Sequence, residues 1–337
     1  CGAALSQIWR PHESEESKVD MSSQTMTSNT ATLVKRIDPR IDLQTCPERL
    51  DAWSIGSVRS FDFPDAETIS RTFVERFDDG ILAPDNEMYD GAFTDFLEEH
   101  GIIYSIRRDW VDSPIEDLYL TSNRMISAET IHQRLEEAQV TVVGDGPLVD
   151  RIVTACQEQG LNSEKHVSPE GIDRFDDADV VVAVTKSLAD PQVVGLNRLL
   201  LEKPVTWIPL FRQMGNSVLI GPFIHPGKTA CLECLRLRMC STIGEIPDTY
   251  VEPGTALPMA SFRIETSLET IACSLLIQMV QHKIALREYS GLSRPGFTRQ
   301  LVLDNKGFQS LSHRVIRVPR CGECGGSSEL GFPQVWH

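Results

Sequence analysis

Four of the nine cysteines fall into two short pairs, Cys231-Leu-Glu-Cys234 and Cys321-Gly-Glu-Cys324. Each pair sets two sulfurs on one turn, the separation that a tetrahedral metal–thiolate site needs. Two such turns complete a four-thiolate set, and Gly322, Gly325 and Gly326 permit a tight backbone in the second. A closed set leaves no position for water, so the ion expected is a structural Zn2+. A thioredoxin-type redox motif needs a strand before one pair and a helix after it, and has no use for a second pair. The chain must therefore fold so that two segments far apart in sequence meet. The other five cysteines (Cys1, Cys46, Cys156, Cys240, Cys273) are scattered. Cys156 and Cys273 lie in apolar helical pattern and read as buried thiols, a usage that fits a reducing cytoplasm better than a disulfide framework.

At 337 residues the chain has room for two domains. Its formal charge of −16 argues against a nucleic-acid partner gripped through phosphates. No apolar run is long enough to span a membrane; the most apolar stretch, 271–285, is broken by Gln278, Gln281, His282 and Lys283 and reads as a core helix. The sequence begins at Cys1, where Cys-Gly would suit a lipid-modified mature lipoprotein and Met21 or Met26 would suit a natural start further in. Residues 1–36, rich in Ser, Thr and Glu at their start and without periodicity, are expected to be disordered.

A small α/β module is expected over 37–106. Runs at 41–45, 52–55 and 58–63 read as a three-stranded meander. A helix opened by Asp65 carries Ile69, Phe73, Val74 and Phe77 and stops at Asp78-Asp79-Gly80, and a second over 87–100 carries Tyr89, Phe93, Phe96 and Leu97 on one face. Residues 102–106 close it as a strand, and the order of elements resembles a winged helix. A polar connection over 107–126 and a helix over 128–138 complete the segment 107–138. From 139 to 326 the pattern is doubly wound: a buried strand Val140–Val143, the turn Gly144-Asp145-Gly146, Pro147 at the first helical position, a second buried strand over 179–185, a helix over 196–202 and a third parallel strand over 205–209. A long helix over 264–288 follows, then a hairpin of 301–303 with 309–313 across Asn305-Lys306-Gly307. Residues 327–337 are a tail.

The Gly144-x-Gly146 turn sits where a dinucleotide phosphate would meet a helix N-terminus. Val149 replaces the third glycine of that fingerprint, and Asp145 lies where a phosphate would approach, so ATP binding is not expected. His225 and His313 are lone histidines that read as packing or hydrogen-bonding residues. Cys240 has no neighbouring His or Lys in sequence to activate it.

The stretch from Gly221-Pro222 through Pro226-Gly227-Lys228-Thr229 to Cys231 and Cys234 resembles a segment of ThiF-like, ubiquitin-activating-type proteins. The tail His313-Arg-Val-Ile-Arg-Val-Pro319-Arg-Cys321-Gly-Glu-Cys324 is similar to that of the leader-peptide-binding, ThiF-like partners of YcaO cyclodehydratases, which help install azolines in ribosomally made peptides. The resemblance implies an N-terminal winged-helix peptide-recognition module, a zinc-binding Rossmann-type domain, and no catalytic residue on this chain. A precursor's leader would be captured by strand addition beside Val58, Arg59, Phe61 and Phe63, against Phe93, Phe96 and Leu97. The partners implied are that leader and a YcaO-type cyclodehydratase, and relatives of this kind commonly form homodimers. The rival reading is a ThiF-like adenylyltransferase activating a peptide or sulfur-carrier carboxylate. The Asp-x-x-x-x-Asn-x-x-Arg stretch expected after its second strand is missing, and Asn197-Arg198 lies later, in a helix.

Overall fold

A computed structural model of the chain describes residues 32–62, 71, 75, 77–82, 91–169, 175, 178–188, 190–214, 217–242, 266–319 and 321–325. The chain divides into two compact units, Cys1–Glu116 and Asp117–His337.

The first unit runs through β1 (Leu33–Ile37), a meander of β2 (Asp42–Cys46), β3 (Arg49–Ser54) and β4 (Ser57–Asp62), a short hairpin of β5 (Phe77–Asp78) and β6 (Ile81–Leu82), helix α1 (Gly91–Glu99) and β7 (Ile103–Arg107). The meander is one sheet in the order β2-β3-β4; the other strands form a second, β5-β6-β1-β7. Leu50 and Ala52 of β3, Leu97 of α1, and Ile102 and Ile103 make the core, with Phe61, Phe93 and Phe96 packed at its margin.

Three expectations change here. β1 lies at the end of the stretch expected to be disordered, yet it pairs with β7 from Leu33–Arg107 to Ile37–Ile103. Its strand signal was hidden because Arg36, a charged residue, is buried. Phe77, expected on a helix, begins a hairpin instead, because Asp79 (φ 49°) and Gly80 (φ 76°) reverse the chain. Of the rest of that helix only Arg71 and Glu75 are described, Arg71 as helical with its carbonyl accepting the Glu75 N–H at 2.9 Å, while Ile69, Phe73 and Val74 lie outside the described residues, as do Phe63 and Tyr89. The polar connection contains a 3-10 turn, Arg108–Trp110, and helix α2 (Pro114–Thr121), whose Leu118 and Leu120 are buried.

One buried charge cluster explains two of these corrections. Arg36 pairs with Glu116 at 3.0 Å and with Asp112 at 2.6 Å, the Tyr104 hydroxyl donates to Glu116, and Glu116 accepts the Asp112 backbone N–H at 2.7 Å. Burial, together with the Glu116 carboxylate, pushes the Tyr104 pKa up. A carboxylate that looks like surface in the sequence is thus interior, satisfied by groups distant along the chain.

The second unit begins with α3 (Ala128–Glu137), where the Ser127 hydroxyl caps the Thr130 N–H at 3.2 Å. There follow β8 (Gln139–Val143), α4 (Pro147–Glu158), β9 (Asn162–His166), β10 (Val180–Thr185), α5 (Pro191–Leu201), β11 (Thr206–Met214), β12 (Ser217–Ile220), α6 (Leu232–Thr242), α7 (Thr266–Gln281), β13 (Phe297–Asp304) and β14 (Gly307–Arg314). They build one mixed α/β sheet in the order β9-β8-β10-β11-β12-β13-β14. Its β9-β8-β10-β11 part is parallel and the remainder antiparallel. β9 escapes sequence reading because Asn-Ser-Glu-Lys-His is a polar edge strand. The long helix expected over 264–288 ends earlier as α-helix, widens into a π turn at His282–Leu286, and stops at Arg287, where φ is 53°.

Val181 and Ala183 of β10, with Trp207 and Phe211 of β11, pack against α5 and α6. Helix α7 packs against α4 and against β12 and β13. Cys156 and Cys273 are buried as expected, and burial raises the Cys156 thiol to about 12. No helix among the described residues is long and apolar enough to cross a membrane.

Replacing Glu116 with Ala should destabilise the first unit by about 3–5 kcal/mol, since it strands Arg36 without its buried partner. Urea unfolding followed by tryptophan fluorescence checks this. Asp112→Ala, which removes only the exposed partner, should cost no more than about 1 kcal/mol.

Candidate functional site

The two cysteine turns come together on the α5/α6 face of the sheet. Cys231 immediately precedes α6 and Cys234 lies in its first turn, where the Leu235 N–H bonds to the Cys231 carbonyl at 3.1 Å. The first helical N–H, that of Leu232, donates instead to the buried Asn197 side chain of α5 at 3.1 Å. The second turn is closed by the Gly325 N–H on the Cys321 carbonyl at 2.8 Å. There glycine is demanded by space: a Cβ at Gly325 would lie 2.6 Å from that carbonyl oxygen and 3.1 Å from the Cys321 nitrogen.

All four sulfurs fall within 4.8 Å of one another. Cys231–Cys234, Cys231–Cys321 and Cys234–Cys324 stand 3.8, 3.6 and 3.4 Å apart. A tetrahedral ion with bonds of about 2.3 Å sets its sulfurs about 3.8 Å apart, and a disulfide would need about 2 Å. The cluster fits a metal ion and is not a pair of disulfides. Cys231, Cys234 and Cys321 are almost wholly buried and belong to the apolar core. Hydrogen bonding from the Cys231 thiol and from the Val318 backbone N–H (3.3 Å) holds Cys234 down to about 4, while burial pushes Cys324 up to about 11. The Cys231 thiol is pushed up by its bond to Cys234 and by burial. Protein groups thus favour one thiolate, and four require a cation.

Residues around the cluster that sequence reasoning did not find fix the turns. Arg317 donates to the carbonyls of Gly227 (3.0 Å) and Cys324 (2.7 Å), so one guanidinium ties both segments. Arg198 of α5 pairs with Glu323 between the second two cysteines at 2.7 Å, and Arg236 pairs with Glu233 between the first two at 2.6 Å. Only the acidic residue inside each Cys-x-x-Cys pair hinted at these partners.

The Gly144 turn forms as expected but is tightly packed. Gly144 (φ 141°) packs so close to β10 that a Cβ would meet the Val184 carbonyl oxygen at 2.8 Å, and the Val149 methyl stands at 3.3 Å. Asp145 and Asp150 both face Lys165, at 3.8 and 2.6 Å. Arg212, whose guanidinium comes 3.9 Å from a Cβ built on Gly146, is paired with Glu269 at 2.8 Å. His225 bonds through Nδ1 to the Thr206 hydroxyl at 2.9 Å, and burial lowers its pKa to about 4. His313 bonds to Gln300 at 3.1 Å. Cys240 is buried in α6.

In the first unit, β4 has β3 as its one paired neighbour among the described residues. Ser54 and Ser57 close the two-residue turn Ile55-Gly56, which makes them a hydrogen-bonded pair, and alternation then aims the N–H groups of Val58, Ser60 and Asp62 outward. Val58 is exposed; Phe61 packs edge-on against Phe96 (5.2 Å) and His100 (5.0 Å), and Phe93 stacks on Phe96 at 6.3 Å. Arg59 donates to the His100 carbonyl just beyond α1, and Leu97 is 1% exposed.

Among solved structures the chain matches the heterocyclase TruD, at 18% identity with a TM-score of 0.59 over 87% of this chain and 43% of that one. It matches a heterocyclase in complex with substrate and cofactor at 17% identity and TM-score 0.61, covering 87% of this chain and 39% of that one. It also matches the microcin C7 biosynthetic enzyme MccB in complex with N-formylated MccA, at 12% identity and TM-score 0.53, over 87% of this chain and 100% of that one. The fold is the one these proteins share. The ThiF-like resemblance is borne out at that level, and the chain spans less than half the length of the two heterocyclases. No family model and no curated protein matches it.

Gly325→Ala should force the second cysteine turn open, lowering the melting temperature and speeding alkylation of Cys321 and Cys324 as read by mass spectrometry. Gly322→Ala is the control: a Cβ there meets nothing within 4 Å, so its alkylation rate should match that of the unaltered chain.

Proposed function

We propose that this chain is a non-catalytic partner in the modification of ribosomally made peptides: it binds a precursor's leader and presents the core to a separate YcaO-type cyclodehydratase. The observation that carries the reading is the edge of β4 away from β3, which has no paired strand among the described residues and has Phe61, Phe93 and Phe96 on one side. An extended peptide laid along that edge meets outward N–H groups for register and an aromatic shelf for its apolar side chains. Phe63 is assigned to the same site from the sequence alone, and Leu97 supports the shelf from within the core. The segment 37–106 is assigned the role of a winged-helix recognition module and 139–326 that of a ThiF-like zinc domain, with 1–36, 107–138 and 327–337 outside both. Likeness in fold to a heterocyclase and to MccB supports this class of chemistry. Holding the core peptide beside an enzyme raises its effective concentration, so the scaffold needs no reacting residue of its own.

The four cysteines would hold a structural Zn2+, with Cys231, Cys234, Cys321 and Cys324 as thiolates. Adenylation on this chain is not proposed. Asp145 and Asp150 at the amino end of α4 already answer its dipole, and Arg212 is neutralised by Glu269. The protein would act in the cytoplasm.

The purified chain should carry about one zinc, measured by plasma emission spectrometry. Cys321→Ser should lose it and unfold much of the second unit, because structural zinc contributes folding free energy on the order of 10 kcal/mol. Full occupancy and unchanged melting in that variant would rule the four-thiolate assignment out.

Fluorescence anisotropy with a labelled leader of a precursor encoded beside this chain tests the binding reading. Ser60→Pro removes one outward N–H at an edge that tolerates proline, so affinity should fall roughly three- to ten-fold, the worth of about one hydrogen bond, with little change in melting. Arg59 is unsuitable for the purpose, since its guanidinium holds the end of α1. Unaltered affinity in Ser60→Pro and Val58→Asp would place the leader elsewhere.

A further inference from the structure

A groove of about 790 Å³ opens at the amino ends of β8 and β10, the end of the parallel strands away from the Gly144 turn. That volume is within the range of small-molecule sites. Its wall carries four cations, Arg134, Lys283, Arg287 and Arg294, in a chain whose net charge is −16. Three carboxylates, Glu137, Asp179 and Glu288, share the wall.

Most of the acidic side is already engaged. Glu137 accepts from Gln133 at 2.9 Å, and Asp179 accepts the Gln139 N–H at 3.0 Å. Arg134 donates to the Ala285 carbonyl at 2.6 Å. Hydrogen bonds to neutral groups leave those charges in place, so the wall as a whole carries four positive charges against three negative, and its 283–294 stretch holds Lys283, Arg287 and Arg294 against Glu288 alone. Among the described residues no carboxylate stands within ion-pairing reach of these three cations. The Lys283 ammonium is partly desolvated, and burial lowers its pKa, with Arg287 adding to the effect against Glu288.

Two further observations point to a ligand. The Ser293 hydroxyl, in a residue 1% exposed, lies buried in this wall without a hydrogen-bond partner. A buried hydroxyl left unpaired costs free energy, and an oxyanion in the groove would accept its proton. The backbone that presents the cations is also irregular: the π turn His282–Leu286 carries Lys283, and Arg287 holds φ 53°, ψ −116°, a conformation that suits glycine. Side chains kept on such backbone recur at binding sites.

We propose that this groove binds a small molecule bearing a phosphate group, held between Lys283, Arg287 and Arg294 and accepting a hydrogen bond from Ser293. Along the 283–294 stretch the excess of two positive charges matches a phosphate, which carries nearly two negative charges near neutral pH, better than a carboxylate, which carries one. This reading is independent of leader binding.

The test is a titration of the full chain with inorganic phosphate at constant ionic strength, followed by 31P line broadening. Saturable binding is expected, weakened at least ten-fold by Lys283→Gln and about three-fold by Ser293→Ala. Arg287→Gly is the decisive variant, because it removes the cation and relieves the backbone together. It should melt no lower than the unaltered chain while losing at least ten-fold in phosphate affinity. No saturable binding, or binding unchanged in both Lys283→Gln and Arg287→Gly, overturns the proposal.

Discussion

Four sulfurs converge at one point of the second unit, and the convergence constrains everything around it. Cys231 and Cys234 open α6, whereas Cys321 and Cys324 follow the last strand, so the antiparallel half of the sheet must return to the α5/α6 face before the chain leaves it. Asn197, Arg198, Arg236 and Arg317 each orient one of the two turns. Of three arginines near the cluster, Arg198 and Arg236 are paired with carboxylates, which leaves Arg317, bound to backbone carbonyls, as one positive charge where four thiolates would carry four negative. Four thiolates here would therefore need an ion to neutralise them, and Cys231, Cys234 and Cys321 sit within the same apolar core as Trp207 and Leu196, with Cys324 packed against it. Metal and core would then stand or fall together.

The parts of the fold legible in sequence were those where burial and pattern agree. The continuous apolar runs of β8 and β10, Pro147 at the start of α4, the hairpin of β13 and β14, and the cysteine turns all announce themselves locally. What stayed hidden depends on partners far along the chain. Arg36 and Glu116 look like surface charges until they are seen together, and with them β1 and α2 come into view. The polar edge strand β9 offers no alternation to read. At the site, sulfur spacing could be anticipated, but Arg317 and Asn197 could not, because their roles depend on backbone groups rather than on a motif.

The two ends of the parallel strands differ in a way composition alone does not reveal. At the carboxyl end, where this class of sheet usually places a nucleotide, Asp145 and Asp150 surround Lys165 and Glu269 engages Arg212. A triphosphate arriving there would have to displace existing ion pairs and sit beside two carboxylates. At the amino end the balance tips the other way along 283–294, with three cations against Glu288 and an unpaired hydroxyl. An overall charge of −16 hides this local reversal, and phosphate affinity follows the local field rather than the total.

The edge of β4 raises the question of how an exposed strand avoids nonspecific pairing. Natural edges are commonly blunted by charge, brevity or cover. Here Arg59 turns inward to the end of α1 and leaves Val58, Ser60 and Asp62 to define the outward row, a single acidic group at one end. Phe61 and Phe96 are only partly covered, so the strand offers apolar surface on one side and backbone donors along its margin. A second copy of the chain could use the same edge, but antiparallel self-pairing would demand that the row be compatible with its own reverse, a requirement a leader peptide does not meet or need. Strand addition by a peptide asks only for an extended segment with apolar residues at alternate positions. Under the proposal, the edge would suit a guest with freedom to choose its register better than its own rigid twin.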